Sequence, residues 1–228
     1  MPGGAGAGRV WAIVAGGALS HEDALRALAA GGAFLCGVDA GLDHALRLGL
    51  TPDLALGDFD SVSPGALARI REWGVPVERH PTAKDATDGE LALQRALAER
   101  ARAVHLFAAA GDRLDQTLAT ALLLPRFERS GLPVFGYAPG WRFRALVPAG
   151  RAATAWRVPA RQGATISLIP LDRRCRGVSI HGAAYPLEDA VLYRERTLGT
   201  SNEARSDEVE VAVREGALLV LWSDGPSG

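Results

Sequence analysis

The sequence of 228 residues has only two cysteines, one lysine and one asparagine, and 6% of its residues are aromatic. Cys36 and Cys175 have no metal-type spacing, so they argue against a disulfide framework and against a cysteine-based metal site. We expect both thiols to be free and buried, in a reducing compartment. Residues 1–8 lack the charged and apolar regions of a signal peptide, and no later apolar run could span a bilayer. We therefore expect a cytoplasmic protein that binds no membrane.

The net charge and the missing motifs argue against nucleic acid as a partner and against several classes of enzyme. The formal net charge is -1, which offers no broad positive surface for nucleic acid. The chain has no Gly-x-x-x-x-Gly-Lys-Ser/Thr loop, no Gly-x-Ser-x-Gly elbow and no His-Glu-x-x-His helix. Interpretations as a P-loop kinase, a serine hydrolase or a zincin therefore lose their main support. We expect a small molecule, and no nucleic acid, as the partner.

The first part of the chain alternates apolar runs with helical patterns. Ser63-Pro64 predicts a helix start with Ser63 as N-cap, and Thr87 has capping-box spacing to Glu90. The alternation predicts an α/β domain, residues 1–137, with three layers around a mainly parallel sheet. Strands are predicted at 10–14, 33–38, 54–57, 75–77 and 104–108. Helices are predicted at 22–30, 41–48, from 63, at 87–100 and at 114–129, the last with Leu118, Leu122 and Leu123 as its apolar stripe.

After Leu132 the helical patterns give way to short β-type runs broken by Gly and Pro. These runs predict an all-β sandwich or barrel domain, residues 138–228, with Glu215-Gly216 as a hairpin turn. The runs are 134–137, 141–147, 155–158, 164–169, 178–181, 209–213 and 218–222.

The segment Gly57-Asp58-Phe59-Asp60-Ser61 places two carboxylates on alternate positions directly after an apolar run. If Asp58 ends a strand and Asp60 lies in the following loop, both can face one hard cation, and Gly57 lets the backbone come close. The alternative is an ordinary polar turn, in which Asp, Gly and Ser are common. The segment is a candidate metal site.

Three other polar segments also follow predicted strands. Asp39 ends the second strand, where the alternative is a simple N-cap carboxylate. The capping box explains part of the segment 84–90 but leaves Lys84, Asp85 and Asp88 unexplained. The segment 111–116, Gly-Asp-Arg-Leu-Asp-Gln, opens the last helix. Because doubly wound sheets bind ligands at the carboxyl ends of their strands, we predict one shared acidic pocket.

The single lysine, Lys84, and the single asparagine, Asn202, both stand among polar residues. Apart from these two residues, the sequence contains no lysine and no asparagine. Its other basic residues are arginine and histidine. This placement gives weak support for functional sites near both residues, with chance placement as the alternative.

The order of these motifs, continued by Tyr185-Pro186-Leu187 and Thr200-Ser201-Asn202-Glu203, resembles the thiamine pyrophosphokinase family over nearly the whole chain. The resemblance implies an α/β catalytic domain, a C-terminal β-sandwich and a homodimer. It also implies transfer of the ATP pyrophosphoryl group to the thiamine hydroxyl, giving thiamine diphosphate and AMP. The chain has Ala40 before Gly41, where the family commonly has a second glycine.

The family's functional residues can be carried over to matching positions. The resemblance implies Mg²⁺ ligands at Asp58, Asp60 and Asp88, with Arg113 and Asp115 as further catalytic residues. The implied ATP and Mg²⁺ side also includes Asp39, Lys84, Asp85 and Gln116, and the implied thiamine side is Tyr185, Thr200, Ser201 and Asn202.

The chemistry agrees with this assignment. A triphosphate needs a hard divalent cation, and Lys84 and Arg113 can contact phosphate oxygens directly. The thiazolium ring of thiamine is a permanent cation, which carboxylates and the ring of Tyr185 both favour. Two alternatives stay open: a pyrophosphokinase for another heterocyclic alcohol such as a pterin, and a nucleotide sensor without catalysis. His44 and His105 are interpreted as packing or surface residues.

Overall fold

The computed structural model describes residues 8–83, 85–111, 113–150 and 152–226. These residues form two compact units. The first contains the described residues up to Leu123 together with Leu132–Pro139, and the second contains Leu124–Gly131 and the chain from Gly140 onward. The boundary between residues 137 and 138 stays a prediction about the domains.

The first unit is built on a parallel sheet with strand order β6-β5-β1-β2-β3-β4. Its central strands are buried along most of their length, because helices precede and follow them in the chain and cover such sheets. The elements are β1 Val10–Val14, α1 Glu22–Ala30, β2 Phe34–Val38, α2 Gly41–Arg47, β3 Leu54–Gly57, α3 Pro64–Glu72, β4 Val77–Arg79, α4 Asp88–Ala98, β5 Ala103–Phe107, α5 Leu114–Arg129 and β6 Val134–Ala138.

The second unit consists of two antiparallel sheets, with strand orders β12-β9-β14-β7 and β11-β10-β13-β8. Buried side chains of both sheets, such as Ile166 and Val220 on one and Ile180 and Val211 on the other, form one core. The predicted α/β domain followed by an all-β domain is therefore confirmed. The strands are β7 Trp141–Leu146, β8 Thr154–Val158, β9 Ala164–Pro170, β10 Arg174–His181, β11 Leu187–Tyr193, β12 Asn202–Glu203, β13 Val209–Val213 and β14 Leu218–Pro226.

Both predicted helix starts are confirmed. The hydroxyl of Ser63 accepts a hydrogen bond from the amide of Ala66 at 3.2 Å, and Pro64 is the first residue of α3. The hydroxyl of Thr87 accepts from the amide of Glu90 at 3.2 Å and so caps α4. Each cap pairs one of the amides that a helix leaves open at its start.

The bounds of one predicted strand and one predicted turn are wrong. The strand predicted at 75–77 begins at Val77, because Pro76 has no amide to donate and Val75 is packed against α3. Glu215-Gly216 is not a hairpin turn: β13 and β14 belong to different sheets, and Glu215 forms a bridge with Arg176. Strand β11 was not predicted, since its Glu188-Asp189 pair interrupts the apolar pattern.

The predicted apolar stripe of α5 is also wrong. Leu118 is 55% exposed and Leu122 is 63% exposed, whereas Leu124 and Phe127 are fully buried. Both sets satisfy helical spacing, so the pattern alone could not decide which one faces the core.

Cys36 and Cys175 are free and buried, as predicted. Burial raises the pKa of the Cys175 thiol to about 12 and also raises the pKa of Cys36, so both stay protonated. Among the described residues, no helix is long and apolar enough to cross a membrane.

Two leucines of one helix provide a matched test of the burial pattern. Leu124→Ala should lower the free energy of unfolding by about 2 to 5 kcal/mol, because it leaves a cavity in a packed core. Leu118→Ala should change it by less than about 1 kcal/mol, because this side chain is mostly exposed. Urea denaturation of both variants measures the difference. Equal losses would contradict the orientation of α5.

Candidate active site

A cleft of about 690 Å³ opens in the first unit where β1, β2, β3 and β5 end. Its lining includes Gly16 and Gly17 after β1, Asp39 after β2, Asp58 after β3 and the segment 108–111 after β5. Strand β1 pairs with β2 on one side and with β5 on the other, so the order of strands reverses at β1. Open α/β sheets bind ligands at such a switch point, which makes this cleft the candidate site.

Asp39 is held against the backbone of the next strand. Its carboxylate Oδ1 accepts a hydrogen bond from the amide of Phe59 at 3.0 Å. Gly57 has φ +142, and a Cβ at this position would lie 1.9 Å from the same oxygen. Asp39 does not cap α2, whose N-cap is Ala40, so the N-cap alternative is excluded. Gly57 is therefore needed for the position of Asp39.

The loop after β3 carries both carboxylates of the predicted metal pair, and only one of them is in the lining of the cleft. Phe59 has φ +64, a left-handed conformation that turns the chain between Asp58 and Asp60. Asp58 lines the cleft, whereas Asp60 is exposed and is not among the residues that line it. The amide of Asp60 donates to Oδ1 of Asp58 at 3.1 Å.

Two side chains from outside hold this loop in place. Nη1 of Arg79 donates to the carbonyl of Asp58 at 2.7 Å, and its guanidinium lies 5.0 Å from the ring centre of Phe59. On the other side, Asp43 of α2 accepts from the amide of Ser63 at 3.1 Å and also from its hydroxyl. The loop is thus fixed at both ends before any ligand binds.

The start of α4 also lines the cleft. Asp85, Asp88, Gly89 and the cap residue Thr87 all contribute to the lining. The positive end of a helix dipole favours negative charge, which explains acidic residues here and also suits a bound phosphate. Lys84, the predicted phosphate contact in this segment, lies outside the described residues.

The start of α5 supplies Arg113, Gln116 and Thr120 to the lining. Arg113 forms two hydrogen bonds with Asp115, Nε to Oδ1 at 3.0 Å and Nη2 to Oδ2 at 2.5 Å. These bonds hold the pKa of Asp115 at about 2, so this carboxylate is ionised at neutral pH. Asp115 is exposed and is not among the lining residues.

The cleft therefore brings together most of the described residues predicted for the ATP side. The residues present in the lining are Asp39, Asp58, Asp85, Asp88, Arg113 and Gln116; Asp60 and Asp115 are not part of it. Within the described ranges, no group of three or more His, Cys, Asp or Glu side chains is arranged to hold a metal ion by itself. The roles of these residues stay predictions.

Several lining residues were not recognised from the sequence. Gly16-Gly17 was not assigned to the site, yet it lines the cleft, and the amide of Gly17 donates to the carbonyl of Ala108 at 2.9 Å. His44, which was interpreted as a packing or surface residue, is not in the lining, but its Nε2 donates to the carbonyl of Gly17 at 2.8 Å and holds this turn. A paired glycine after the first strand of an α/β sheet was the signal that could have identified this turn.

The four residues predicted for the thiamine side lie in the second unit. Tyr185 is 72% exposed, whereas Asn202 is only 6% exposed. The hydroxyl of Thr200 donates to the carbonyl of Thr197 at 2.8 Å. Ser201 has φ +57, and its amide donates to the hydroxyl of Ser167 at 3.0 Å.

Two models of known protein families match this chain, one mainly in the first unit and one in the second. The family model of the thiamin pyrophosphokinase catalytic domain matches residues 25–135, and that of the thiamin pyrophosphokinase vitamin B1 binding domain matches residues 157–218. The chain belongs to the thiamine pyrophosphokinase family. The resemblance inferred from the motifs is thereby confirmed.

Proteins that are 25 to 28% identical to this chain carry the same family name. Thiamine pyrophosphokinase of Bacillus subtilis (strain 168) is 27% identical over 187 residues, which are 82% of this chain and 86% of that protein. Its crystal structure has a TM-score of 0.83 at 25% identity and covers 94% of this chain and 99% of its own. The crystal structure of thiamin pyrophosphokinase from Geobacillus thermodenitrificans has a TM-score of 0.81 at 28% identity, with 96% and 99% covered.

Two glycines test the close approach of Asp39. Gly57→Ala should lower the free energy of unfolding by about 1 to 3 kcal/mol, because alanine strains the backbone at this φ and displaces the carboxylate of Asp39. Gly65→Ala is the control, since its Cβ would meet nothing within 4 Å and helical alanine is favoured. Thermal and urea unfolding of both variants give the comparison. A Gly57→Ala protein as stable as the Gly65→Ala protein would contradict the contact.

Proposed function

We propose that this chain transfers the pyrophosphoryl group of ATP to the hydroxyl of thiamine, giving thiamine diphosphate and AMP. The reaction is that of its family, and it makes the chain a diphosphotransferase. The observation that carries the proposal is the acidic cleft at the switch point of a chain that also contains the vitamin B1 binding domain. A sensor without catalysis would not need this set of carboxylates.

The cleft fits a Mg²⁺ ion carried by ATP. Mg²⁺ prefers oxygen ligands and usually binds through one or two carboxylates, substrate phosphates and water. The cleft provides such carboxylates in Asp58 and Asp88, and Asp60 remains a proposed third ligand on the resemblance alone. When bound, the ion would neutralise the charge on the phosphate oxygens.

The side chains of the cleft would orient the triphosphate. Arg113 carries a planar fork of donors that matches phosphate oxygens, and Gln116 lies one helical turn further along α5. The start of α4 offers backbone amides with a favourable dipole. Gly16 and Gly17 bring the turn after β1 into the lining of the cleft, where its backbone could contact a phosphate. Positioning and electrostatics of this kind carry most of the effect in phosphoryl transfer.

Thiamine is favoured over a pterin as the acceptor. The vitamin B1 binding model covers the strands next to Tyr185 and Asn202. The exposed ring of Tyr185 offers a flat face for a cationic heterocycle. A pterin alcohol carries no permanent charge, so it would gain less from this face.

The proposal also includes a homodimer, as the family resemblance implies, and a cytoplasmic location. Both rest on the sequence. Sedimentation at working concentration measures the oligomeric state directly.

AMP release is the direct test of the reaction. With ATP and Mg²⁺ present, AMP should appear only when thiamine is added, because the acceptor hydroxyl is a reactant. The same assay with a pterin alcohol, and with no acceptor, provides the controls. Release with the pterin but not with thiamine would favour the alternative pyrophosphokinase, and release with neither would contradict an enzyme of this kind.

Substitutions of two neighbouring residues at the start of α4 test the role of the helix cap and the role of the cleft separately. Asp88→Asn should lower turnover by about 100-fold or more, because it removes a charge from the cleft without removing the cap. Thr87→Ala should instead cost about 1 kcal/mol of stability, since it removes the hydrogen bond to Glu90. Turnover and melting temperature are measured for both variants. The reverse order of effects would mean that Asp88 serves only the helix start.

A further inference from the structure

Asn202 is the one asparagine of the chain, and its side chain is committed to backbone groups of its own unit. Oδ1 accepts hydrogen bonds from the amides of Tyr185 and Glu203, both at 2.9 Å. Nδ2 donates to the carbonyl of Tyr185 at 2.7 Å. With 6% of its surface exposed, Asn202 is one of the few buried polar residues, and it contacts both polar backbone groups of Tyr185.

The segment that carries Asn202 is itself fixed. Asn202 and Glu203 form β12, which pairs with Ile166 and Thr165 of β9. On its other side, the segment 203–205 bonds with 182–184: the amide of Ala184 donates to the carbonyl of Glu203, and that of Arg205 to the carbonyl of Gly182, both at 2.8 Å. The carboxamide of Asn202 extends this pairing by one residue, to Tyr185.

Tyr185 has a fixed backbone and an exposed ring. Its two polar backbone groups are bound by Asn202, and Pro186 after it restricts its backbone to extended conformations. Its side chain nevertheless leaves the residue 72% exposed. Holding the backbone of an exposed aromatic residue reduces the conformational entropy that the ring loses when it binds a flat ligand.

We propose that Asn202 is a positioning residue: it holds the backbone of Tyr185, the residue that the proposed function puts against the acceptor, and acts on the acceptor only through that residue. This inference rests on the proposed function. Asparagine suits the role because its short carboxamide both donates and accepts. Aspartate cannot donate to the carbonyl of Tyr185, and alanine can do neither.

A double-mutant cycle tests the proposal. Tyr185→Ala should raise the KM for thiamine by about tenfold, the usual size of a lost aromatic contact with a cation, while kcat and the KM for ATP stay the same. Asn202→Ala should raise the same KM by up to about tenfold. The double variant should be no worse than Tyr185→Ala, because Asn202 has no effect once the ring is gone.

Direct contact between Asn202 and the ligand would give a different result in the double variant. The second hydrogen of Nδ2 is the group by which Asn202 could contact a ligand directly. If it does so, the two effects multiply, and the double variant shows a KM about 100-fold above that of the wild type. That result would overturn the proposal. So would a fall in kcat with an unchanged KM for thiamine in Asn202→Ala.

Ser223→Ala is the matched control. Ser223 is another buried polar residue of this unit, and its hydroxyl accepts from the amide of Thr165 at 2.9 Å and donates to the carbonyl of Gly225 at 2.6 Å. Its loss should lower the melting temperature without changing the KM for thiamine. If Asn202→Ala does not fold, Asn202→Asp replaces it in the cycle, because Asp keeps both acceptor contacts, loses the donor to the carbonyl of Tyr185 and adds one negative charge.

Amide hydrogen exchange separates this inference from the proposed function. The amide of Tyr185 should exchange faster in Asn202→Ala than in the wild type or in Ser223→Ala, whether or not the protein acts on thiamine. An unchanged exchange rate would overturn the positioning role. A wild type without thiamine-dependent AMP release would instead contradict the proposed function, and the exchange result would still stand.

Discussion

The contact between the carboxylate of Asp39 and the backbone of Gly57 is the constraint on which the cleft depends. Asp39 directly follows one strand and Gly57 ends the next, so their contact fixes two adjacent strand ends relative to each other. The same carboxylate binds the amide of Phe59 and thereby sets the direction of the loop that carries Asp58. No residue with a Cβ fits at Gly57 without moving this oxygen. One glycine therefore determines where two of the cleft's carboxylates lie.

The cleft also stores backbone strain. Asp39, Phe59 and Ala108 all have positive φ, although none of them is glycine, and they follow β2, β3 and β5. A non-glycine residue in this conformation costs of order 1 to 3 kcal/mol, and such residues persist only where their surroundings hold them. Here the contacts are visible: Asp39 and Phe59 hold each other, and Ala108 accepts from Gly17. Strain at three strand ends around one cleft is what a site arranged for binding, rather than for stability, would contain.

Sequence patterns predicted the order of elements but not which way side chains point. Periodicity located α5 to the residue, yet it assigned the wrong face to the core, because Leu118 and Leu124 both belong to apolar rows. The same limit applies to the cleft. Asp58 and Asp60 were expected to face one cation, with Asp58 at the end of a strand and Asp60 in the loop that follows it. Around the left-handed turn at Phe59, Asp58 lines the cleft and Asp60 does not, and no feature of the sequence indicates a positive φ at an aromatic residue.

Residues whose role is to bind neighbouring backbone were the hardest to identify from sequence. His44, Arg79 and Asp43 bind main-chain or loop groups beside the cleft, and their partners are distant in the chain. Arg113 illustrates the related problem of a residue with two possible partners. Its ion pair with Asp115 is exposed, and exposed pairs contribute little to stability because water screens them. Such a pair costs little to open, so it can orient the guanidinium of Arg113 and still exchange for a partner of greater negative charge.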